Sequence, residues 1–247
     1  MTWRPSWPGF EPPQHPYAED AEVSQKAQKK PFFSAVLLRP LRNLCVLCVL
    51  LQPTQNPKVI NQPPYTALDA WIDQHFDEQV AFLQQLVRVP TDTPPGNNAP
   101  HAEKTAELLQ AFGFDAEKHA VPAAEVQAYG MQSITNLIVR RRYGDGGRTI
   151  ALNAHGDVVP PGEGWTHDPY GGEIVDGQMF GRATAVSKSD FATFSFAVRA
   201  LEAVAKPTRG AVELHFTYDE EFGGELGPGW LLAQGLTKPD LMVAAGF

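Results

Sequence analysis

Cysteine is nearly missing from this 247-residue chain, which has only Cys45 and Cys48. Two cysteines cannot build a disulfide framework. One Cys-x-x-Cys inside an apolar run, with no second pair, is a weak zinc or redox signal, and two thiols in a reducing compartment fit better. Positive charge is not in excess either: 20 Lys+Arg against 28 Asp+Glu leave a net charge of −8. Nucleic acid and an anionic membrane surface are therefore poor partners for it. The apolar run Leu44–Leu51 is far shorter than the ~20 residues that span a bilayer, and Arg39, Pro40, Arg42 and Asn43 prevent its extension. It has the length of a signal-peptide core, but it starts far from the N-terminus and has no clear small-residue cleavage site. A cytoplasmic location is the default expectation. No Gly-x-Ser-x-Gly elbow occurs, which argues against an α/β hydrolase with a serine nucleophile.

What is present divides the chain in two. Residues 1–60 hold seven basic residues and four acidic ones, so they carry +3 and the remainder carries −11. Pro5, Pro8, Pro12, Pro13 and Pro16 crowd the start without apolar periodicity. Residues 1–60 are expected to be a disordered or non-homologous extension, and residues 61–247 a folded domain. With 43% hydrophobic residues there is ample material for one core.

From Thr66 the pattern alternates between helix and strand. Thr66 and Asp69 make a box-like helix start, and Leu68, Ile72, Phe76, Val80, Leu83 and Val87 continue at helical spacing until Pro90. A second helix is expected over Ala102–Phe112. Strands are expected at Ile134–Val139, Thr149–Ala154, Ala211–Thr217 and Leu241–Ala244. Arg140, Arg141 and Arg142 read as an anion patch or, better, a solvated strand end. Asp176-Gly177 between two short strands marks a hairpin. Asp190 is placed as the N-cap of a helix carrying Phe191, Phe194, Ala197, Val198 and Leu201, and a last helix is expected near Gly229–Gln234. The predicted class is α/β, a mixed sheet covered by helices.

Polar residues gather where these strands end. His155-Gly156-Asp157 leaves the apolar strand Ile150–Ala154, at the kind of strand end where open α/β sheets place ligands. A metal-binding imidazole needs a carboxylate to fix its tautomer, and Asp157 can supply it. A histidine satisfied at a turn would leave the same trace. Asp219-Glu220-Glu221 sets three carboxylates side by side, which is costly without a cation or open solvent. Adjacent glutamates can divide labour between metal ligand and general base; a solvated acidic turn before Gly223-Gly224 reads equally well.

Taken together, four blocks carry a resemblance. They are His155-Gly156-Asp157-Val158-Val159-Pro160; Trp165 with Asp168-Pro169-Tyr170; Asp176 to Arg182 followed by Lys188; and Thr217 to Gly224. In this order they resemble the di-zinc aminoacylase/carboxypeptidase family of metallopeptidases and amidohydrolases, over roughly Thr66 to Phe247. The family includes acetylornithine deacetylase, succinyl-diaminopimelate desuccinylase and glutamate carboxypeptidases. The resemblance implies the fold of a zinc-peptidase catalytic domain, incomplete at the C-terminus, and hydrolysis of an amide or peptide bond beside a free carboxylate. It further implies two zinc ions, with cobalt or manganese as substitutes, and a small N-acyl amino acid or peptide as substrate. His155 corresponds to a zinc ligand, Asp157 to the carboxylate that orients it, Glu220 to the general base and Glu221 to a ligand of the other zinc.

Val186 stands where the family has a metal-bridging Asp, and Asp190, four residues on, is the candidate replacement. No carboxylate follows Lys238–Val243, where the family has a further acidic ligand. The family's lid and dimerisation domain and its final His ligand have no counterpart here. The family is homodimeric through that missing domain, so the resemblance leaves the oligomeric state of this chain open, and weak or absent turnover is expected. A catalytically inactive relative that keeps the fold is the alternative.

Overall fold

The computed structural model describes residues 35–37 and 65–245. The proline-rich start, Leu44–Leu51, Cys45 and Cys48 lie outside the described residues. Three residues of the expected extension do form structure: strand β1 (Ala35–Leu37) pairs antiparallel with β6 (Gln178–Phe180), which also pairs with β5 (Glu173–Val175). The β5–β6 turn is the expected hairpin, with Asp176 at φ 50° and Gly177 at φ 74°. Positive φ at both turn residues matches the right-handed twist of the flanking strands.

The main sheet has five strands in the order β2-β3-β7-β4-β8, comprising β2 (Ala116–Ala120), β3 (Thr135–Gly144), β4 (Thr149–His155), β7 (Gly210–Thr217) and β8 (Leu241–Ala244). β2, β3 and β7 pair antiparallel, whereas β4 runs parallel to both β7 and β8. It is thus the mixed sheet expected, reached by helical crossovers as parallel pairing requires. The helices are α1 (Tyr65–Gln74), α2 (Phe76–Val87), α3 (Ala99–Gln110), α4 (Ala123–Ala128), α5 (Lys188–Val204) and α6 (Pro228–Ala233). α5 packs on β4 and β7, α3 on β2 and β3, and α1 and α2 lie against α5. Fully buried Phe191 stacks on Phe216 at 4.1 Å between ring centroids, joining α5 to the sheet.

Four expectations need correction. The single helix from Thr66 to Val87 is two helices broken at His75, whose N–H is shared between the Trp71 and Ile72 carbonyls while its ring stacks on Trp71 at 3.7 Å. Thr66 lies inside α1, not at its cap, because Tyr65 is already helical. Asp190 does not cap α5 either: Ser187 holds the N-cap position without a side-chain capping bond, and Asp190 sits in the first turn. β3 runs past the expected Val139 to Gly144, and its arginine end is the solvated strand end expected, with Arg142 exposed, rather than an anion patch. Arg140 pairs with Glu117 and Glu213, and Arg141 with Glu202. β2 and α4 have no clear sequence signal: β2 is mostly exposed Ala-Glu-Lys-His-Ala and α4 is six residues long.

Candidate metal centre

The β4–β7 register sets His155 opposite Thr217, so Gly156-Asp157 and Tyr218-Asp219 leave the sheet side by side. The Gly156 N–H donates to the Thr217 carbonyl at 2.8 Å. A Cβ on Gly156 would lie 2.6 Å from Tyr218 Cε1 and 3.1 Å from Phe191 Cζ, so only glycine fits this approach without a shift. A second support comes from the segment after α2. The Thr91 hydroxyl donates to the Gly156 carbonyl at 2.6 Å, and Thr93 N–H to the Val158 carbonyl at 2.8 Å.

His155 and Asp157 are both buried. His155 Nδ1 lies 3.1 Å from the Asp157 backbone carbonyl and 3.4 Å from its Oδ1. Both neighbours only accept, so Nδ1 carries the ring proton and Nε2 presents its lone pair when the ring is neutral. That Nε2 is buried and has no hydrogen-bond partner; Glu220 Oε2 stands 3.7 Å from it. Burial opposes a charge on His155, but the Asp157 hydrogen bond and the charges of Asp157 and Glu220 outweigh it, so its pKa is raised. A cation arriving at Nε2 therefore competes with a proton.

The Asp157 carboxylate also accepts the N–H of Glu220 at 3.3 Å and of Glu221 at 3.0 Å, on the single 3-10 turn Glu220–Phe222. Glu221 Oε1 accepts the Val159 N–H at 3.3 Å. Burial, then the nearby Asp157 charge, pushes the Glu221 carboxyl up, against the pull of His155. One ligand atom each from His155, Glu220 and Glu221 lies within 4.8 Å of the others. An unpartnered imidazole nitrogen facing two carboxylates is a donor set that fits a divalent cation.

Asp190 is not part of that group. It accepts a hydrogen bond from Ser187 Oγ at 3.0 Å; burial raises its pKa, while Ser187 and the His155 charge lower it. Val186 is 47% exposed.

One buried cluster was not read from the sequence. The Lys188 amine donates to the Val89 carbonyl at 2.7 Å and lies 5.9 Å from the centre of the Tyr170 ring, while Tyr170 OH donates to Asp92. Burial brings the Lys188 amine down to about 7, against the upward pull of Asp92 and Asp157. Lys188 and Tyr170 stood in the motif blocks, but nothing in their spacing announces that they meet Asp92.

Comparison with known proteins follows this geometry. Residues 151–246 match Peptidase family M20/M25/M40. Succinyl-diaminopimelate desuccinylase of Rhodospirillum centenum is 35% identical over 146 residues, 58% of this chain and 36% of its own length. The chain thus spans about a third of that relative. Human carnosine dipeptidase 1 superimposes with a TM-score of 0.57 at 20% identity, covering 74% of this chain and 41% of its own. An M20 family metallo-carboxypeptidase from Sulfolobus solfataricus gives 0.57 at 17% identity, covering 69% and 38%. The fold is the one these peptidase structures share. Through residues 151–246 the chain resembles Peptidase family M20/M25/M40, a family of metal-dependent hydrolases, as the blocks around His155 and Glu220 led us to expect.

Proposed function

We propose that this chain carries the metal-holding part of an enzyme that hydrolyses an amide or peptide bond next to a free carboxylate. The observation that carries the reading is His155 Nε2, buried, without a partner and facing Glu220 and Glu221. His155 and Glu221 are the proposed ligands, and Asp190 is the third candidate in the absence of a carboxylate at Val186. A bound divalent ion, zinc by the family resemblance, supplies polarisation of the amide carbonyl and a lowered pKa for water.

The chain's own side chains do the rest. Asp157 keeps the proton on Nδ1 of His155 and thereby aims Nε2. Glu220, with its side chain 46% exposed, has the freedom to accept a proton from water and return it to the departing amine. The substrate class is a small N-acyl amino acid or peptide, and residues 61–247 form the domain that binds it.

A second reading has its own support. Val186 cannot ligate a metal, which is consistent with a fold that binds without turnover. Elemental analysis of the purified chain tests the common core of the two readings. Near-stoichiometric zinc, lost in His155→Ala and Glu221→Ala, is expected; no zinc in the unaltered chain overturns the metal centre. Amidase assays of the loaded protein then separate the readings.

A further inference from the structure

Asn98 holds the N-cap position of α3, where an asparagine ordinarily accepts one of the first helical N–H groups, yet it makes no side-chain capping bond. Ser133 serves the helix start instead, its Oγ accepting the Ala99 N–H at 3.1 Å. The Asn98 carboxamide is fully buried, and its Nδ2 donates to the Tyr218 carbonyl and to Thr93 Oγ1, both at 3.3 Å. A carbonyl only accepts, which fixes the amide nitrogen on the Tyr218 side. Oδ1 is left buried without a partner. Asn98 thus forgoes a cap and an acceptor's bond in order to reach Tyr218.

The hydrogen bonds continue from Thr93. Its Oγ1 donates to the Thr91 carbonyl at 3.2 Å, and Thr91 Oγ1 donates to the Gly156 carbonyl at 2.6 Å. The Val158 N–H also donates to the Thr91 carbonyl, at 3.1 Å. Both threonines are buried. Gly156 lies between His155 and Asp157, and Tyr218 comes two residues before Glu220. Three buried side chains therefore join the strand end that carries His155 to the one that leads into Glu220 and Glu221. The sheet ladder stops at the bond from Gly156 to Thr217; beyond it, Asp157 and this line of hydrogen bonds connect the two segments. The line is built from residues 91–98, outside the stretch 151–246 that matches the family.

We infer that Thr91, Thr93 and Asn98 are positioning residues, which set the separation of His155 from Glu220 and Glu221 and with it the fit of a divalent ion. The inference rests on the metal-centre reading above and adds to it residues that do not touch the ion. Because the bonds act in series, opening one link releases the two strand ends as fully as opening two.

Zinc affinity of the full chain, measured by competition with a chromophoric chelator, and the visible spectrum of the cobalt-loaded chain test this. Thr91→Val removes a hydroxyl at nearly constant shape. Asn98→Ser keeps a good helix cap, but its side chain is too short for Tyr218. Each should weaken zinc binding about tenfold, as loss of support behind metal ligands does, and each should alter the cobalt spectrum. The double variant should be no weaker than about tenfold, since links of one network do not add. Thr91→Ser, which keeps the hydroxyl, should retain the parent affinity. Arg140→Met, which loses stability through Glu213, should change neither readout. Parent affinity and spectrum in folded Thr91→Val and Asn98→Ser, or an equal weakening in Arg140→Met, overturns the inference and leaves the metal centre standing. A parent chain that binds neither zinc nor cobalt overturns both.

Discussion

Asp157 Oδ2 accepts the backbone N–H of Glu221 at 3.0 Å, across a sequence separation of 64 residues. The same carboxylate faces His155 Nδ1 at 3.4 Å through Oδ1. One fully buried side chain therefore fixes both halves of the candidate metal centre. The backbone N–H groups of Glu220 and Glu221 and the His155 ring face that carboxylate as donors.

Asp157→Asn preserves shape but removes the charge and half of the accepting capacity. Zinc affinity should fall about 10- to 100-fold, the usual effect of losing the group that orients a histidine ligand. Stability should drop by about 1–3 kcal/mol, as N–H groups of the 220–222 turn lose their acceptor. Calorimetric zinc titration and urea unfolding measure the two effects separately.

Gly156→Ala tests the close approach of β4 to Tyr218. With the added Cβ 2.6 Å from Cε1 of a fully buried ring, something must shift. We expect a loss of about 1–3 kcal/mol by urea unfolding, in line with overpacking elsewhere. Wild-type stability would show that the ring yields freely.

Lys188 sets a pH dependence. Its folded pKa is about 7, below the usual 10.5, so between these values the unfolded chain binds more protons than the folded one. Stability contributed through this group must therefore rise from about pH 7 toward pH 10, because it rises wherever the unfolded state holds more protons. Lys188→Met should abolish that rise and be more stable than the parent at pH 7, since it removes a buried charge without leaving a full ion pair broken. Urea unfolding of both proteins at pH 7, 8 and 9 decides it; parallel curves would contradict the assignment.

Arg140 ties three strands through side chains. It reaches Glu117 on β2 and Glu213 on β7, and Glu213 also accepts from Thr237 and His215. Arg140→Met leaves the buried Glu213 without its cation and should cost about 1–3 kcal/mol, with Arg140→Lys restoring only part. Thermal unfolding at two salt concentrations measures it, and the cost should change little with salt because Glu213 is buried.

The sequence made the central strands legible because β4 and β7 are apolar runs bounded by turn residues, and it made His155, Asp157, Glu220 and Glu221 legible because they follow those strands. It could not show that the helix through His75 breaks, since Leu68 to Val87 keep one period across a kink made by local hydrogen bonds. β2 stayed hidden because an edge strand of Glu, Lys and His buries too little to leave alternation. Asp190 was misplaced by one turn: an Asp before an apolar helical run looks like a cap, yet the helix begins two residues earlier at Lys188. The Asp92–Tyr170–Lys188 cluster joins residues nearly a hundred positions apart, a relation that no local pattern encodes.

The parallel pairing of β4 with β7 brings His155 level with Thr217. A slip of one residue would turn His155 to the opposite face of the sheet, because side chains alternate along a strand. Zinc uptake would then be a gauge of sheet assembly: only chains in which the crossover through α5 has closed in register can bring an imidazole from one strand to carboxylates that follow the other. Recovery of zinc binding during refolding should lag behind helix formation and coincide with the burial of Phe191 against Phe216.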